Sequence, residues 1–127
     1  MKKLLGISLF LGLGLFISSC GSTDVAEKTA NTFFVLVIGG EFEKANQLVE
    51  SGFDAASQLN GVKYIGENEQ YGKLLTAKKG MGFNTEVNNG VTTVKLPYEL
   101  KYQNGTVNAE VVIVDNGAGF KIREVSN

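Results

Sequence analysis

Few residues of this chain can do chemistry. Cys20 is its single cysteine, and histidine and tryptophan are absent. An intramolecular disulfide is therefore impossible, and imidazole catalysis and the common His/Cys transition-metal sites are ruled out within the chain. One thiol, four tyrosines and the carboxylates remain. Cys20 closes the run Ile17-Ser18-Ser19-Cys20, an aliphatic residue and two small ones ahead of a thiol that can carry a thioether-linked group. Tyr98 and Tyr102 share one face of an alternating stretch, and Tyr64 and Tyr71 can approach the same space. Phenolic hydroxyls in an apolar pocket would orient a small ligand. The preferred reading is plainer: the tyrosines fill a core and send their hydroxyls to its wet rim. Glu86, Glu99 and Glu110 could meet across adjacent strands and shift one another's pKa for acid–base work. Glu99 shares an outward face with Lys101, so a solvated, salt-bridged surface is the better account of them.

The segment that carries Cys20 has three parts. Met1-Lys2-Lys3 is basic, Leu4 to Ile17 is apolar and uncharged, and small residues precede the cysteine, the layout of a secretory signal. The apolar run is shorter than the roughly 20 residues a bilayer-spanning helix needs. Gly6, Gly12 and Gly14 weaken it further as a permanent helix. Ile17-Ser18-Ser19-Cys20 resembles the bacterial lipobox. That resemblance implies a diacylglyceryl group on the Cys20 thiol, cleavage just before it, and acylation of the new amine by a palmitate-type chain. Two or more chains anchor a protein stably, each buried CH₂ contributing about 0.8 kcal/mol. The expected organisation is a signal peptide over residues 1–19, a lipidated cysteine and short tether over 20–23, and one domain over 24–127. Its expected place is the cell envelope. No acidic residue directly follows Cys20, which favours the outer membrane where the host has two.

Twelve basic residues stand against thirteen acidic ones. Removal of residues 1–19 takes Lys2 and Lys3 and leaves a net charge of −3. Nothing in that balance makes an electrostatic case for nucleic acid or anionic lipid as a partner. No cofactor is implied. Gly80-x-Gly82 and Gly117-x-Gly119 lack the Lys-Ser/Thr of a phosphate loop and read as turns.

The positioning elements follow from periodicity. Asp24-x-x-Glu27 fits a capping box that opens a helix with Ala26, Ala30, Phe33, Phe34, Val37 and Ile38 at helical spacing. Val35 and Leu36 make its end apolar all round, so it is expected to be largely buried until Gly39-Gly40 stops it. Glu41 to about Ser51 is expected as a second helix, with Phe42, Ala45, Leu48 and Val49 inward, ended or kinked at Gly52; a further turn through Phe53 to Ala56 can continue it. Leu59 to Gly66 reads as a loop, and Glu67 to Lys79 as a weaker third helix with Tyr71, Leu74 and Leu75 inward. From Phe83 the period becomes two. Phe83, Thr85 and Val87 alternate with Asn84, Glu86 and Asn88, and Asn89-Gly90 signals a hairpin. Val91 to Tyr102 puts Val94, Leu96, Tyr98, Leu100 and Tyr102 on one side, and Pro97 implies a bulge or an unpaired position. Asn104-Gly105 marks a second hairpin. Thr106 to Val114 and Phe120 to Val125 complete the sheet around a longer turn at Asp115 to Gly119. The fold class is therefore α+β: two to three N-terminal helices on a strongly curved four-stranded antiparallel meander, shaped as a half-open cone.

Phe33 to Val49, FFVLVIGGEFEKANQLV, resembles the opening of small bacterial proteins of the nuclear-transport-factor-2-like (cystatin-like) superfamily. Tyr102 to Gly105, Val111 to Val114 and Gly119 to Ile122 resemble that superfamily's last hairpin, with Phe120 where Trp is usual. The likeness covers most of Asp24 to Val125 and is closest to lipoprotein members of the domain-of-unknown-function type. Its motifs are helix breaks, turns and core aromatics, so it implies a fold and no activity. Enzymes of this fold, such as ketosteroid isomerases and scytalone dehydratase, set an Asp or His beside a Tyr inside the cone, and no such pair maps onto this chain. The preferred expectation is a non-enzymatic, membrane-anchored domain that binds a small apolar ligand or an envelope protein. The alternatives are a small isomerase- or dehydratase-like enzyme using Tyr and a carboxylate, and an assembly role through homodimerisation over the outer sheet face.

Overall fold

The computed structural model describes residues 22–50 and 61–126. The expected lipidation site at Cys20 and the expected features between Ser51 and Asn60 lie outside the described residues. Three helices and six strands make up the described part: α1 (Ser22–Ile38), α2 (Phe42–Asn46), α3 (Val62–Gly66), β1 (Glu67–Asn68), β2 (Gly72–Lys79), β3 (Asn84–Asn88), β4 (Val91–Tyr102), β5 (Gly105–Asp115) and β6 (Phe120–Ser126). The architecture is α+β, an N-terminal helix packed on a strongly curved antiparallel half-barrel. The sheet has six strands, where the sequence suggested four.

β4 is the spine of the sheet. One of its edges pairs with β5 along nearly its whole length, from Thr92↔Asp115 to Tyr102↔Gly105. Its other edge is shared: β3 takes Val91 to Lys95 and β2 takes Tyr98 to Tyr102. Pro97 sits at the changeover, where its carbonyl accepts the Gly80 amide at 2.8 Å. A residue without an amide proton is tolerated there because β3 has ended and β2 is only beginning. The expected face of β4 holds, with Val94, Leu96, Tyr98, Leu100 and Tyr102 all buried. On β6 a bulge between the Val112↔Glu124 and Ile113↔Ile122 pairs turns both Ile122 and Val125 inward.

α1 buries Ala26, Ala30, Phe33, Phe34 and Val37 against that face. It ends in a Schellman motif: Glu41 N–H donates to Leu36 O at 2.9 Å, Gly40 N–H donates to Val37 O at 3.1 Å, and Gly40 has φ +80°. The helix is one-sided. Val35 is 67% exposed, against the expectation of an end buried all round, because the sheet covers one side only. Ser22 and Thr23 belong to α1, so the expected tether shortens and Asp24 lies within the first turn.

The remaining differences fall in the middle of the chain. The second helix is shorter than expected, Phe42–Asn46, and Val49 leaves it to bridge Ile122 in parallel along the outer edge of β6. The presumed loop before Gly66 contains α3. Gly66 lets α3 close in, since a Cβ there would lie 2.8 Å from the Phe42 ring. The expected third helix over Glu67 to Lys79 is β1 and β2. The open edge of β4 offers a row of amides and carbonyls that must be satisfied, and that tertiary demand overrides a weak helical pattern. Leu74 pairs with Tyr102 and is buried, while a bulge pushes Leu75 outward. Asn89 and Gly90 both have positive φ, as the expected two-residue turn requires.

Phe34 ties helix to sheet, with its ring centroid 4.9 Å from that of Tyr98 and 5.2 Å from that of Phe33. Phe34→Ala is expected to destabilise the domain by about 3–5 kcal/mol, read from denaturant unfolding with an unchanged m-value.

Candidate functional site

The site is built where β4 runs beyond the cover of α1. A cleft of about 250 Å³ opens there, with a floor of Leu100, Val107, Ala109 and Val125 from the sheet. Tyr64 and Ile65 of α3, Asn68 at the end of β1, Gln70 of the β1–β2 turn, Tyr71, Tyr102 and Ser126 form its walls. Three of the four expected tyrosines, Tyr64, Tyr71 and Tyr102, therefore line one cavity. Tyr98 does not reach it. Tyr98 borders a more open depression of about 370 Å³ around Gly80 and Pro97.

Local chemistry fixes each wall. The Asn68 side-chain oxygen accepts the backbone amides of Gln70 at 2.8 Å and Tyr71 at 2.9 Å, an Asx-type turn that aims Tyr71 back over the sheet. The Asn104 amide donates to the Tyr71 carbonyl at 2.9 Å, and the Gln103 side-chain oxygen accepts the Lys73 amide at 2.9 Å. The second hairpin turns on Gln103-Asn104, one position earlier than the expected pair, and Gly105 is already in the strand opposite Tyr102. Glycine is needed at 105 for space: a Cβ there would stand 2.5 Å from the Tyr71 ring. Tyr71 and Tyr102 then sit with ring centroids 5.9 Å apart, tilted by 37°.

The hydroxyls divide into committed and available ones. Tyr102 donates to the Ile65 carbonyl at 2.7 Å and so straps α3 to the sheet. Tyr98 donates to the Asn31 side-chain oxygen at 2.6 Å and straps α1. Burial pushes the Tyr102 phenol up to about 12, with neighbouring Tyr64 adding to the shift. Burial, helped by the charge of Glu27, raises Tyr98 as well. Both are neutral donors at ordinary pH. Tyr64 and Tyr71 lie half-buried on the cleft wall, and neither hydroxyl bonds another described residue.

No acidic or basic side chain lines the cleft among the described residues. The three glutamates considered for acid–base work lie on separate strands: Glu86 opposite Thr93, Glu99 between Lys78 and Asn108, and Glu110 between Pro97 and Ser126. β4 separates Glu86 from Glu110, while Glu99 and Glu110 are diagonal neighbours on the β4–β5 pair, away from the cleft. No group of three metal-ligating side chains occurs among the described residues. Asn68, Gln70 and Val125 were not singled out from sequence; Asn68 three residues before Tyr71 was the one readable signal, as a turn former. Among the described residues no helix is long and apolar enough to cross a membrane.

Comparison with protein-family models finds no family that matches this chain, and comparison with curated proteins finds no matching relative.

Two outcomes follow. Gly105→Ala is expected to destabilise the domain by about 1–3 kcal/mol and to swing Tyr71 off the hairpin, visible as altered near-ultraviolet circular dichroism. Stability carried by the neutral Tyr102 phenol is fully present below its ordinary pKa of 10.0 and declines as pH rises through about 12. Denaturant melts across that window should show the decline, and Tyr102→Phe should reduce it while lowering stability near neutrality by about 1–3 kcal/mol through the orphaned Ile65 carbonyl.

Proposed function

We propose that this chain is a bacterial lipoprotein that holds a small binding domain at the cell envelope through acyl chains on Cys20. The basic, apolar and small-residue order of residues 1–20 supports the anchor. The helix-on-curved-sheet architecture agrees with the nuclear-transport-factor-2-like (cystatin-like) cone, the finer fold that this reading adopts. The observation that carries the binding function is the cleft itself. It has an aliphatic floor, two available phenols on Tyr64 and Tyr71, and side-chain amides on Asn68 and Gln70.

Such a wall suits an uncharged, mainly apolar molecule with one or two polar atoms. At about 250 Å³ the cleft lies just below the 300–1,000 Å³ usual for drug-sized ligands, so the occupant is small. Binding fits the wall better than proton transfer does. Its most buried phenol, Tyr102, is already bonded to backbone and holds its proton tightly. An envelope protein presenting one apolar side chain would use the same floor.

Native mass spectrometry of the mature protein from its own host tests the reading. The expected result is a reproducible added mass, lost on denaturation and reduced in Tyr71→Ala. A ligand-free mass in every preparation would remove the small molecule and leave the protein partner. Intact mass should also show acylation that Cys20→Ala abolishes; an unmodified Cys20 in the membrane fraction would end the lipoprotein reading.

A further inference from the structure

A second group of apolar residues lies in and just before β3, alongside Val91 to Pro97 of β4. Met81, Phe83 and Val87 are 95%, 60% and 70% exposed. Val87 shares the parity of Thr85 within β3, so it occupies the sheet face on which Thr85 lies, and Phe83 immediately precedes the strand. That face turns towards the start of α1, where the Thr23 and Thr85 hydroxyls are 3.2 Å apart. The sequence pattern set Phe83, Thr85 and Val87 in alternation with Asn84, Glu86 and Asn88. β3 pairs Thr85 with Val94, a residue of the buried face of β4, yet Val87 on that same face and Phe83 just before the strand are exposed.

Cys20 lies two residues before Ser22, at most about 7 Å along an extended chain. Acyl chains on Cys20 would therefore hold the bilayer surface within reach of β3. We propose that Met81, Phe83 and Val87 enter the interfacial layer of that bilayer and act as a second, non-covalent contact beside the lipid anchor. This rests on the lipoprotein reading above. Apolar side chains of surface-bound segments commonly sink about 5–10 Å into the headgroup boundary, deep enough for these three.

The test exploits the absence of tryptophan. Phe83→Trp and, as a control, Val35→Trp are each made in the full chain, purified from membranes and reconstituted in neutral vesicles with brominated acyl chains. Position 35 is also exposed but lies about 20 Å along α1 from Ser22. Intact mass of the same samples reads acylation, and thermal melts confirm folding. The expected result is an acylated chain whose tryptophan at 83 is blue-shifted and quenched several-fold more than that at 35. Acylated protein with equal, weak quenching at both positions overturns the membrane contact and leaves the anchor intact. A blue shift at 83 that bromine does not quench and dilution reverses assigns the face to a second copy of the chain and overturns the proposal. An unacylated Cys20 removes the anchor and this inference with it.

Discussion

The structure depends on a mismatch of lengths. A helix rises about 1.5 Å per residue and a strand about 3.3 Å. The 17 residues of α1 therefore cover roughly 25 Å, while the 12 residues of β4 run roughly 40 Å. One long helix cannot cover the apolar face of its central strand. The middle, where Phe33 and Phe34 meet Leu96 and Tyr98, becomes the core. The two ends are left to other devices.

At the cleft end the device is tyrosine. A phenol brings apolar area and one polar atom, so it can fill space at the core's margin and still bond. Tyr102 reaches the Ile65 carbonyl and brings α3 over the gap, while Tyr71 is swung in by the Asn68 turn and seated on the bare backbone of Gly105. The cover is incomplete, and the remainder is the cleft. Tyr98, on the same strand face but further back, is already under α1 and serves as a strap from sheet to helix. The same residue type on one face thus takes two jobs according to how far it lies from the helix end.

Alongside β3 no such cover exists among the described residues, and Val87, with Met81 and Phe83 just before the strand, stays in the open. A free domain would gain nothing from that arrangement.

The sequence by itself determined the local terms. The alternation of Val94 to Tyr102 named the buried face of β4, because a strand's side chains alternate whatever surrounds it. Gly39-Gly40 and Asn89-Gly90 named a helix stop and a hairpin, because both need positive φ that glycine and asparagine supply cheaply. The tyrosines were legible as a group, since their type and spacing are local facts. Tertiary structure decided the rest. Leu74 and its neighbours carried a weak helical period and became a strand, because the open edge of β4 needed partners. Val35 looked buried and is exposed, because burial depends on how far another element extends. Which tyrosines share a cavity was settled by the reach of α1 and the turn at Asn68, a geometry that joins residues more than thirty positions apart and leaves no periodic trace in the chain.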